Sequence, residues 1–234
     1  MIELYAFSNI EDCVDKIAFD IGEFIAEALR TRKTASFAIS GGRTPEYIFP
    51  ILSNKDLPWD KVSFTLTDER WVDISHEESN EGLARSLLLR GPASKASLVG
   101  LKNEWADPYK GQENCETGLM SLNWPLDGIF LGMGEDGHIA SLFPIEKFTH
   151  EENWLNSHGR VFPVAASGDR RPRMSLTPRA ILNCRQIFLV IIGPQKWSTY
   201  LAARSPGPIW ELPVRIILQQ KHTPVGVYAC NQTF

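Results

Sequence analysis

The sequence predicts a three-layer α/β protein with a mainly parallel, Rossmann-like sheet and helices on both faces. Two observations favour this fold: short apolar runs that end in glycine or polar residues, and helical stretches in the gaps between them. The runs predict strands over residues 36–39, 62–66, 128–131, 186–192 and 226–229. The gaps predict helices over residues 11–30, 45–53, 79–89, 112–121, 177–183 and 194–203.

The first three elements have clear local signals. Residues 11–30 repeat apolar side chains at three- and four-residue intervals, as one face of an amphipathic helix does. Residues 36–39 form an apolar run that meets two glycines, so we expect a buried strand that ends in a tight loop. Thr44 and Pro45 then supply an N-cap and a first-turn proline for the helix over 45–53.

Polar clusters directly follow the predicted strands. Residues 36–39 lead into the loop that begins at Ser40, and residues 62–66 lead into a loop over 67–70. Residues 128–131 lead into residues 132–138, and the strand over 186–192 ends at Gly193. In open α/β sheets, ligands bind outside the carboxyl ends of the strands. We therefore expect four loops to gather around one site.

Length and composition predict one globular domain over residues 1–234. An α/β fold can fill this length as a single unit, and no internal linker divides the chain. Hydrophobic residues make up 43% and charged residues 22%, which suits one sizeable core. The formal net charge of −4 argues against nucleic acid as a partner, because a polyanion normally requires a basic face.

The N-terminal pattern and the cysteine spacing predict a cytoplasmic protein. The first residues lack an apolar segment behind a basic start, so no signal peptide is indicated. No run approaches the roughly 18 apolar residues of a membrane span, and we expect no membrane partner. The cysteines lie far apart without metal-ligand spacing, which predicts buried free thiols in a reducing compartment: Cys13, Cys115, Cys184 and Cys230.

The loop after residues 36–39 favours anion binding. Gly41 and Gly42 allow backbone N–H groups to approach an anion at a helix N-terminus, where the helix dipole favours negative charge. A phosphate is the natural occupant, although such turns also occur without a ligand. Arg43 either adds a positive charge to the loop or points outward, and Thr44 completes the turn.

Residues 132–144 are the most informative stretch. Three glycines permit sharp backbone turns, so Asp136 and His138 are presented two residues apart at the end of a buried strand. A histidine side chain titrates near neutral pH and can act as general base and then as general acid. We therefore interpret His138 as the centre of the chemistry.

Charged and amide side chains near other element ends complete the candidate site. Asp68 and Arg70 follow the second predicted strand, and Asn80 either reaches a sugar hydroxyl or caps the next helix. Arg173 suits bidentate contact with phosphate, and Lys196 serves as a point charge. Taken alone, each would be an ordinary solvated group, so the interpretation depends on their meeting at one sheet edge.

Six motifs occur in a recognisable order between residues 40 and 196: SGGRTP, TDERWV, a downstream SN, GMGEDGHIASLFP, RMSLTPRAI and GPQK. Together they closely resemble the 6-phosphogluconolactonase family, within the larger glucosamine-6-phosphate isomerase/deaminase-like superfamily. The long GMGEDGHIASLFP match is highly specific, whereas the short GPQK match is not.

This resemblance implies a cytosolic enzyme of the oxidative pentose phosphate pathway. It implies hydrolysis of a small phosphorylated sugar lactone, 6-phospho-D-glucono-1,5-lactone, to 6-phosphogluconate, with no metal and no organic cofactor. It does not specify an oligomeric state. His138 matches the catalytic histidine of the family. The other matching residues are Gly41, Gly42, Thr44, Arg173 and Lys196 for the phosphate, and Asp68 and Arg70 for the reacting end.

We expect His138 to take a proton from the water that attacks the lactone carbonyl and to return it to the leaving ring oxygen. Either Asp136 or Asp68 would orient the imidazole, and Arg70 would stabilise the developing oxyanion. The tail after Tyr228 lacks the acidic-alanine ending typical of the family, which we expect to affect C-terminal packing and not the site.

The nearest alternative is the isomerase or deaminase branch of the same superfamily. That branch is similar through the HIA element and then reads Asn-Glu-Pro, where this chain has Leu142, Phe143 and Pro144. An apolar ring therefore replaces the glutamate. The branch also typically has Tyr where this chain has Arg70, and both differences favour the lactonase.

Three further alternatives start from single features. The glycines of residues 132–137 formally satisfy the GxGxxG pattern of dinucleotide-binding proteins, but Pro144 shortens the helix that should follow. Ser40 distantly resembles the nucleophile elbow of serine hydrolases, although too little chain precedes it. An inactive sugar-phosphate sensor would use the same loops but would not need the pair of Asp136 and His138.

Overall fold

Two β-sheets organise the chain in the computed structural model, which describes residues 1–145 and 154–233. The described strands are β1 (Ile2–Phe7), β2 (Ala35–Ile39), β3 (Val62–Leu66), β4 (Asp68–Arg70), β5 (Ser97–Val99), β6 (Leu126–Gly132), β7 (Val161–Val164), β8 (Arg173–Leu176), β9 (Cys184–Ile192) and β10 (Val225–Cys230). Seven of them form a parallel sheet in the order β1-β10-β9-β6-β2-β3-β5. The other three form an antiparallel sheet in the order β4-β8-β7.

Helices cover both faces of the parallel sheet. The described helices are α1 (Ile10–Arg32), α2 (Pro45–Ser53), α3 (Asn80–Leu87), α4 (Pro108–Leu119), α5 (Pro178–Leu182), α6 (Pro194–Arg204) and α7 (Arg215–Leu218). Successive side chains of a strand point to opposite faces. On β1, Tyr5 lies in a cleft beside α1, whereas Leu4 lies in another cleft beside α6 and α7. The predicted three-layer α/β fold is confirmed.

Helix α1 begins and ends at residues with clear capping geometry. The side chain of Asn9 accepts a hydrogen bond from the N–H of Asp12, which caps the N-terminus. Lys33 has a left-handed backbone with φ of 72°, and its N–H donates to the carbonyl of Leu29. Between these caps, the buried face of α1 packs against the parallel sheet.

The strands and helices predicted from the sequence are all present, with ends that differ by a few residues. The structure adds β1, β4, β5, β7 and β8, which were not predicted. The prediction that Asp68 to Arg70 form a loop was wrong. These three residues pair with β8, so that Asp68 lies opposite Ser175 and Arg70 lies opposite Arg173. A three-residue strand whose partner lies about a hundred residues away has no local sequence signal.

The strand order of the parallel sheet reverses between β2 and β6. On one side of this boundary lie β3 and β5, and on the other lie β9, β10 and β1. The loops that leave β2 and β6 therefore diverge above the carboxyl ends of the strands and open a crevice. This crevice is the position at which the sequence predicted a site.

The cysteines and the helices bear on the predicted environment of the protein. All four cysteines are free and buried, as the sequence predicted. Within residues 1–145 and 154–233, no helix has both the length and the apolar character required to span a membrane.

Gly128 in β6 allows close packing against β2. A Cβ atom at this position would overlap the ring of Phe37, which is fully buried. We expect Gly128→Ala to lower the free energy of unfolding by about 1–3 kcal/mol, the usual cost of overpacking a core. Urea denaturation followed by circular dichroism measures this loss. Gly132→Ala is the matched control on the same strand, because a Cβ there meets nothing within 4 Å. Equal losses in the two variants would contradict the packing argument.

Candidate active site

A cavity of about 460 Å³ occupies the crevice between β2 and β6, where the strand order reverses. Its walls come from the loops that follow β2, β6 and β9, together with side chains of β4 and β8. The cavity is lined by nearly all the residues predicted for the site: Gly41, Gly42, Arg43, Thr44, Asp68, Arg70, Asn80, His138, Arg173 and Lys196. Asp136 contacts this set through His138.

Buried hydroxyl groups fix the floor of the cavity. The Oγ of Ser40 lies 2.8 Å from the Oγ1 of Thr67 and donates to the carbonyl of Phe130 at 3.0 Å. The N–H of Thr67 donates to the carbonyl of Ile39 at 2.9 Å. These bonds join the ends of β2, β3 and β6, so the loops that carry the site start from a rigid base.

The loop that contains Gly41 and Gly42, called the double-glycine loop from here on, has the backbone freedom that the sequence predicted. A Cβ at Gly41 would overlap the side chain of Asn80, and Gly42 has a φ of 100°. Within the described residues, the N–H groups of Gly42 and Thr44 donate to no backbone acceptor. They lie at the N-terminus of α2, where the helix dipole favours an anion.

Thr44 is the N-cap residue of α2 and Pro45 lies in its first turn, as predicted, but the capping hydrogen bond expected from the Thr44 side chain is absent. Thr44 already has helical dihedral angles, with φ of −60° and ψ of −41°, and its side chain makes no capping hydrogen bond. An N-cap residue normally has extended angles, which turn its oxygen back towards the first helical N–H groups. Thr44 instead lines the cavity together with Gly42.

Two cations of the cavity act on each other. Burial lowers the pKa of Lys196; the charge of Glu135 opposes this effect, and the charge of Arg43 adds to it. Arg43 is exposed but also lines the cavity, where its charge acts on Lys196. Because Lys196 is partly desolvated and Arg43 repels it, a bound anion would relieve their repulsion.

His138 forms a close pair with Asp136. The Nδ1 of His138 lies 2.6 Å from Oδ1 of Asp136, and the same oxygen accepts the backbone N–H of His138 at 3.1 Å. The imidazole is 30% exposed, so it is open to the cavity and not sealed in apolar packing. A Cβ at Gly134 would overlap the imidazole, and Gly137 has a φ of 80°, so both glycines are needed for this turn.

The ionised state of Asp136 determines which nitrogen of His138 carries the proton. Burial alone would raise the pKa of Asp136, but the hydrogen bond and the charge of His138 outweigh it and lower this pKa. An ionised carboxylate only accepts hydrogen bonds. Nδ1 is therefore the donor in the neutral ring, and Nε2 is left as the basic nitrogen.

Asp68 holds the wall of the cavity and does not contact the imidazole. Its Oδ2 accepts the Oγ of Ser141 at 2.5 Å and one terminal nitrogen of Arg173 at 3.3 Å. Asn80 donates to the carbonyl of Asp68 at 2.8 Å. Of the two carboxylates considered from the sequence, Asp136 is therefore the one positioned to orient His138.

Glu69 was not included among the predicted site residues, although it organises the neighbouring loop. Its carboxylate accepts the backbone N–H groups of Arg70, Asn80 and Glu81, and the hydroxyl of Ser79. Burial raises the pKa of Glu69 to about 7, although the three N–H donors favour the ionised form. This fully buried carboxylate therefore joins β4 to the N-terminus of α3. In the sequence, the only signal for Glu69 was a charged residue between two other charged residues.

The structure also shows what Asn80 and Arg70, which lie near Glu69, contact. Asn80 does not cap α3, because Ser79 accepts the N–H of Gly82 and serves as the N-cap. Arg70 lines the cavity and donates one terminal N–H to the carbonyl of Glu78 at 2.7 Å. Its Nε is buried without a partner in the described part of the chain.

The ring of Phe143 packs against the charged groups at the edge of the cavity. Its centroid lies 4.7 Å from that of the His138 ring. The guanidinium carbons of Arg170 and Arg173 lie 3.8 Å and 5.4 Å from it. At position 143, therefore, an aromatic ring and not a carboxylate packs against the imidazole.

Comparison with known proteins places this geometry in a family. Residues 8–225 match the family model described as glucosamine-6-phosphate isomerases/6-phosphogluconolactonase. The chain belongs to this family. It is 36% identical to a 6-phosphogluconolactonase of Mesorhizobium japonicum, over 95% of this chain and 93% of that protein. It is 32% identical to a 6-phosphogluconolactonase of Pseudomonas putida, over 98% of this chain and 93% of that protein.

A solved structure supports the same relationship. The crystal structure of a 6-phosphogluconolactonase from Shewanella baltica superimposes with a TM-score of 0.93 and 35% sequence identity. The match covers 98% of each chain. The parallel sheet with helices on both faces is thus the fold of that enzyme.

Two local features bear on the earlier expectations: the residues that follow the glycines of the His138 loop, and the C-terminal tail. Residues 133–145 form turns and bridges, so no helix follows the glycines as a dinucleotide-binding fingerprint requires. The expectation that the C-terminal tail lies away from the site was wrong, because Thr233 lines the cavity. The N–H of Gly193 donates to the carbonyl of Cys230, which directs the tail past the loop that carries Lys196.

Asp136 should determine the tautomer of His138. We expect ¹⁵N NMR spectra at neutral pH to show the Nδ1-protonated form in the wild type. Asp136→Asn should reduce its population, because an amide presents a donor as well as an acceptor. Asp169→Asn is a matched control, since Asp169 is exposed and lies outside the cavity. An unchanged tautomer in Asp136→Asn would contradict the orienting role.

Proposed function

We propose that this protein hydrolyses 6-phospho-D-glucono-1,5-lactone to 6-phosphogluconate. The observation that carries the proposal is the pair of His138 and Asp136 in the same cavity as the double-glycine loop and Lys196. A base with an orienting carboxylate and a cationic anion site are the two features that hydrolysis of a phosphorylated lactone requires. The similarity to named 6-phosphogluconolactonases over nearly the whole chain supports the same reaction.

The anion site would hold the phosphate of the substrate. The free N–H groups of Gly42 and Thr44 and the charges of Arg43 and Lys196 surround one part of the cavity. Arg173 adds a guanidinium that suits a phosphate oxygen pair. Binding of the phosphate would place the sugar ring at a fixed position relative to His138, which lowers the entropic part of the barrier.

The reaction would use His138 for both proton transfers. Its Nε2 takes a proton from water while the water oxygen bonds to the lactone carbonyl carbon and the carbonyl oxygen becomes an oxyanion. Arg70 provides the nearby positive charge that stabilises this oxyanion. The bond between the carbonyl carbon and the ring oxygen then breaks, and His138 returns the proton to the ring oxygen. The product is the open-chain acid.

Phe143 favours this reaction over the isomerase or deaminase reaction of the same family. Moving a proton along an open-chain sugar needs a further acid beside the histidine, and the corresponding position here is an aromatic ring. Hydrolysis of the lactone requires no such group. We further propose that residues 1–234 act as one domain and that the enzyme works in the cytoplasm, within the oxidative pentose phosphate pathway.

Replacement of His138 should remove the general base without removing the anion site. We expect His138→Ala to lower kcat by roughly 10²- to 10⁴-fold, the usual contribution of a positioned proton-transfer group, while KM changes little. The measurement follows freshly prepared lactone and subtracts its spontaneous hydrolysis. His222→Ala is the matched control, because His222 is exposed and outside the cavity. An unchanged kcat in His138→Ala would falsify the mechanism.

Removal of the Lys196 charge should weaken substrate binding. A hydrogen bond to a charged group contributes about 1.5–3 kcal/mol, so we expect Lys196→Gln to raise KM by roughly 10- to 100-fold. The value of kcat should stay within a few-fold of the wild type. Lys221→Gln, at an exposed position outside the cavity, serves as the control. A loss confined to kcat would argue against a phosphate contact.

A further inference from the structure

Ser141 carries a buried hydroxyl for which the proposed reaction gives no role. The residue is 1% exposed, and its Oγ lies 2.5 Å from Oδ2 of Asp68. Its backbone N–H donates to the Oγ of Ser175 at 3.1 Å. Ser175 lies opposite Asp68 in the antiparallel sheet. Ser141, three residues after His138, therefore contacts both β4 and β8.

The backbone before Ser141 is held in an unusual conformation. Ala140 has a φ of 49°, which residues with a Cβ rarely adopt. Strained residues of this kind persist where the surroundings fix them, and they cluster at functional sites. Here the two hydrogen bonds of Ser141 fix the conformation.

Oδ2 of Asp68 is shared between two donors at unequal distances, while Asn80 lies 3.4 Å from Oδ1. The hydroxyl of Ser141 is the closer donor at 2.5 Å, and Arg173 reaches the same oxygen through one nitrogen at 3.3 Å. The same nitrogen of Arg173 also lies 3.4 Å from the Oγ of Ser141. Arginine and a carboxylate usually form two parallel hydrogen bonds of about 2.7–2.9 Å. The contact between Arg173 and Asp68 is therefore single and long.

We propose that Ser141 is a positioning residue that keeps the guanidinium of Arg173 available to the substrate phosphate by occupying Oδ2 of Asp68. This inference rests on the proposed function, because it names the control of the same anion site. Without the Ser141 hydroxyl, the buried carboxylate of Asp68 would lose its closest donor. The remaining charged donor is Arg173, which would move into a closer pair with Asp68.

A closer pair would change the charge that the substrate meets. Arg173 lines the cavity, and its Nε has no hydrogen-bond partner in the described part of the chain. A guanidinium in a bidentate pair with a carboxylate offers fewer N–H groups and less net charge to a second anion. Loss of the Ser141 hydroxyl should therefore weaken phosphate binding more than it slows proton transfer at His138.

The test compares binding of inorganic phosphate with turnover in matched variants. We expect Ser141→Ala to raise the Kd of inorganic phosphate, measured by calorimetry, and the KM of the lactone by about 10-fold, within the range for a lost charge-assisted contact. The kcat should change by less than about threefold. Ser141→Cys, which is close in size but a weak donor, should behave similarly if Ser141→Ala folds poorly. Ser53→Ala is the control, because Ser53 is equally buried but bonds only the carbonyl of Pro50.

A double-mutant cycle separates this role from a purely structural one. In the Asp68→Asn background no carboxylate competes for Arg173, so Ser141→Ala should raise the phosphate Kd by less than about twofold. An equal rise in both backgrounds, or a loss of kcat with unchanged Kd, would overturn the proposal. Phosphate binding does not depend on turnover. Absence of lactone hydrolysis by the wild type would therefore reject the proposed function without deciding the role of Ser141.

Discussion

The reversal of strand order between β2 and β6 is the constraint on which the site depends. Parallel strands deliver all their following loops to one edge of the sheet, and only at the reversal do two neighbouring loops diverge. The double-glycine loop leaves β2 there, and the loop that carries His138 leaves β6. Hydrogen bonds between Ser40, Thr67 and the carbonyl of Phe130 hold the ends of these strands together. The sheet therefore sets the separation between the double-glycine loop and His138.

The small antiparallel sheet supplies the third wall of the cavity. Its strands β4 and β8 bring Asp68 and Arg70 opposite Ser175 and Arg173. Arginines side by side would repel each other without a counter-charge, and Asp68 provides one through its contact with Arg173. The small sheet thus places positively charged side chains beside the cavity, and Asp68 balances part of their charge.

Close approach or a positive φ explains most of the glycines in the site. Side chains fill the space where a Cβ would lie at Gly41 and at Gly134, namely Asn80 and His138. Gly42 and Gly137 have positive φ values, which only glycine adopts readily. The sequence indicated only that these glycines permit sharp turns. The structure shows that Gly41 and Gly134 also make room for the side chains of Asn80 and His138.

The amino-acid sequence by itself determined the α/β class, the order of the main elements and the family. It also singled out His138 and the double-glycine loop as candidate parts of the site. These are local properties, because apolar runs, turns and motifs are written in neighbouring residues. Only the tertiary structure decided that Asp136 and not Asp68 contacts His138, that Asp68 to Arg70 form a strand, that the Thr44 side chain makes no capping hydrogen bond, and that Thr233 reaches the cavity. The strand and the position of Thr233 depend on contacts between segments far apart in the chain, for which neighbouring residues carry no signal. The other two depend on the exact path of the backbone through a turn, which residue types alone do not specify.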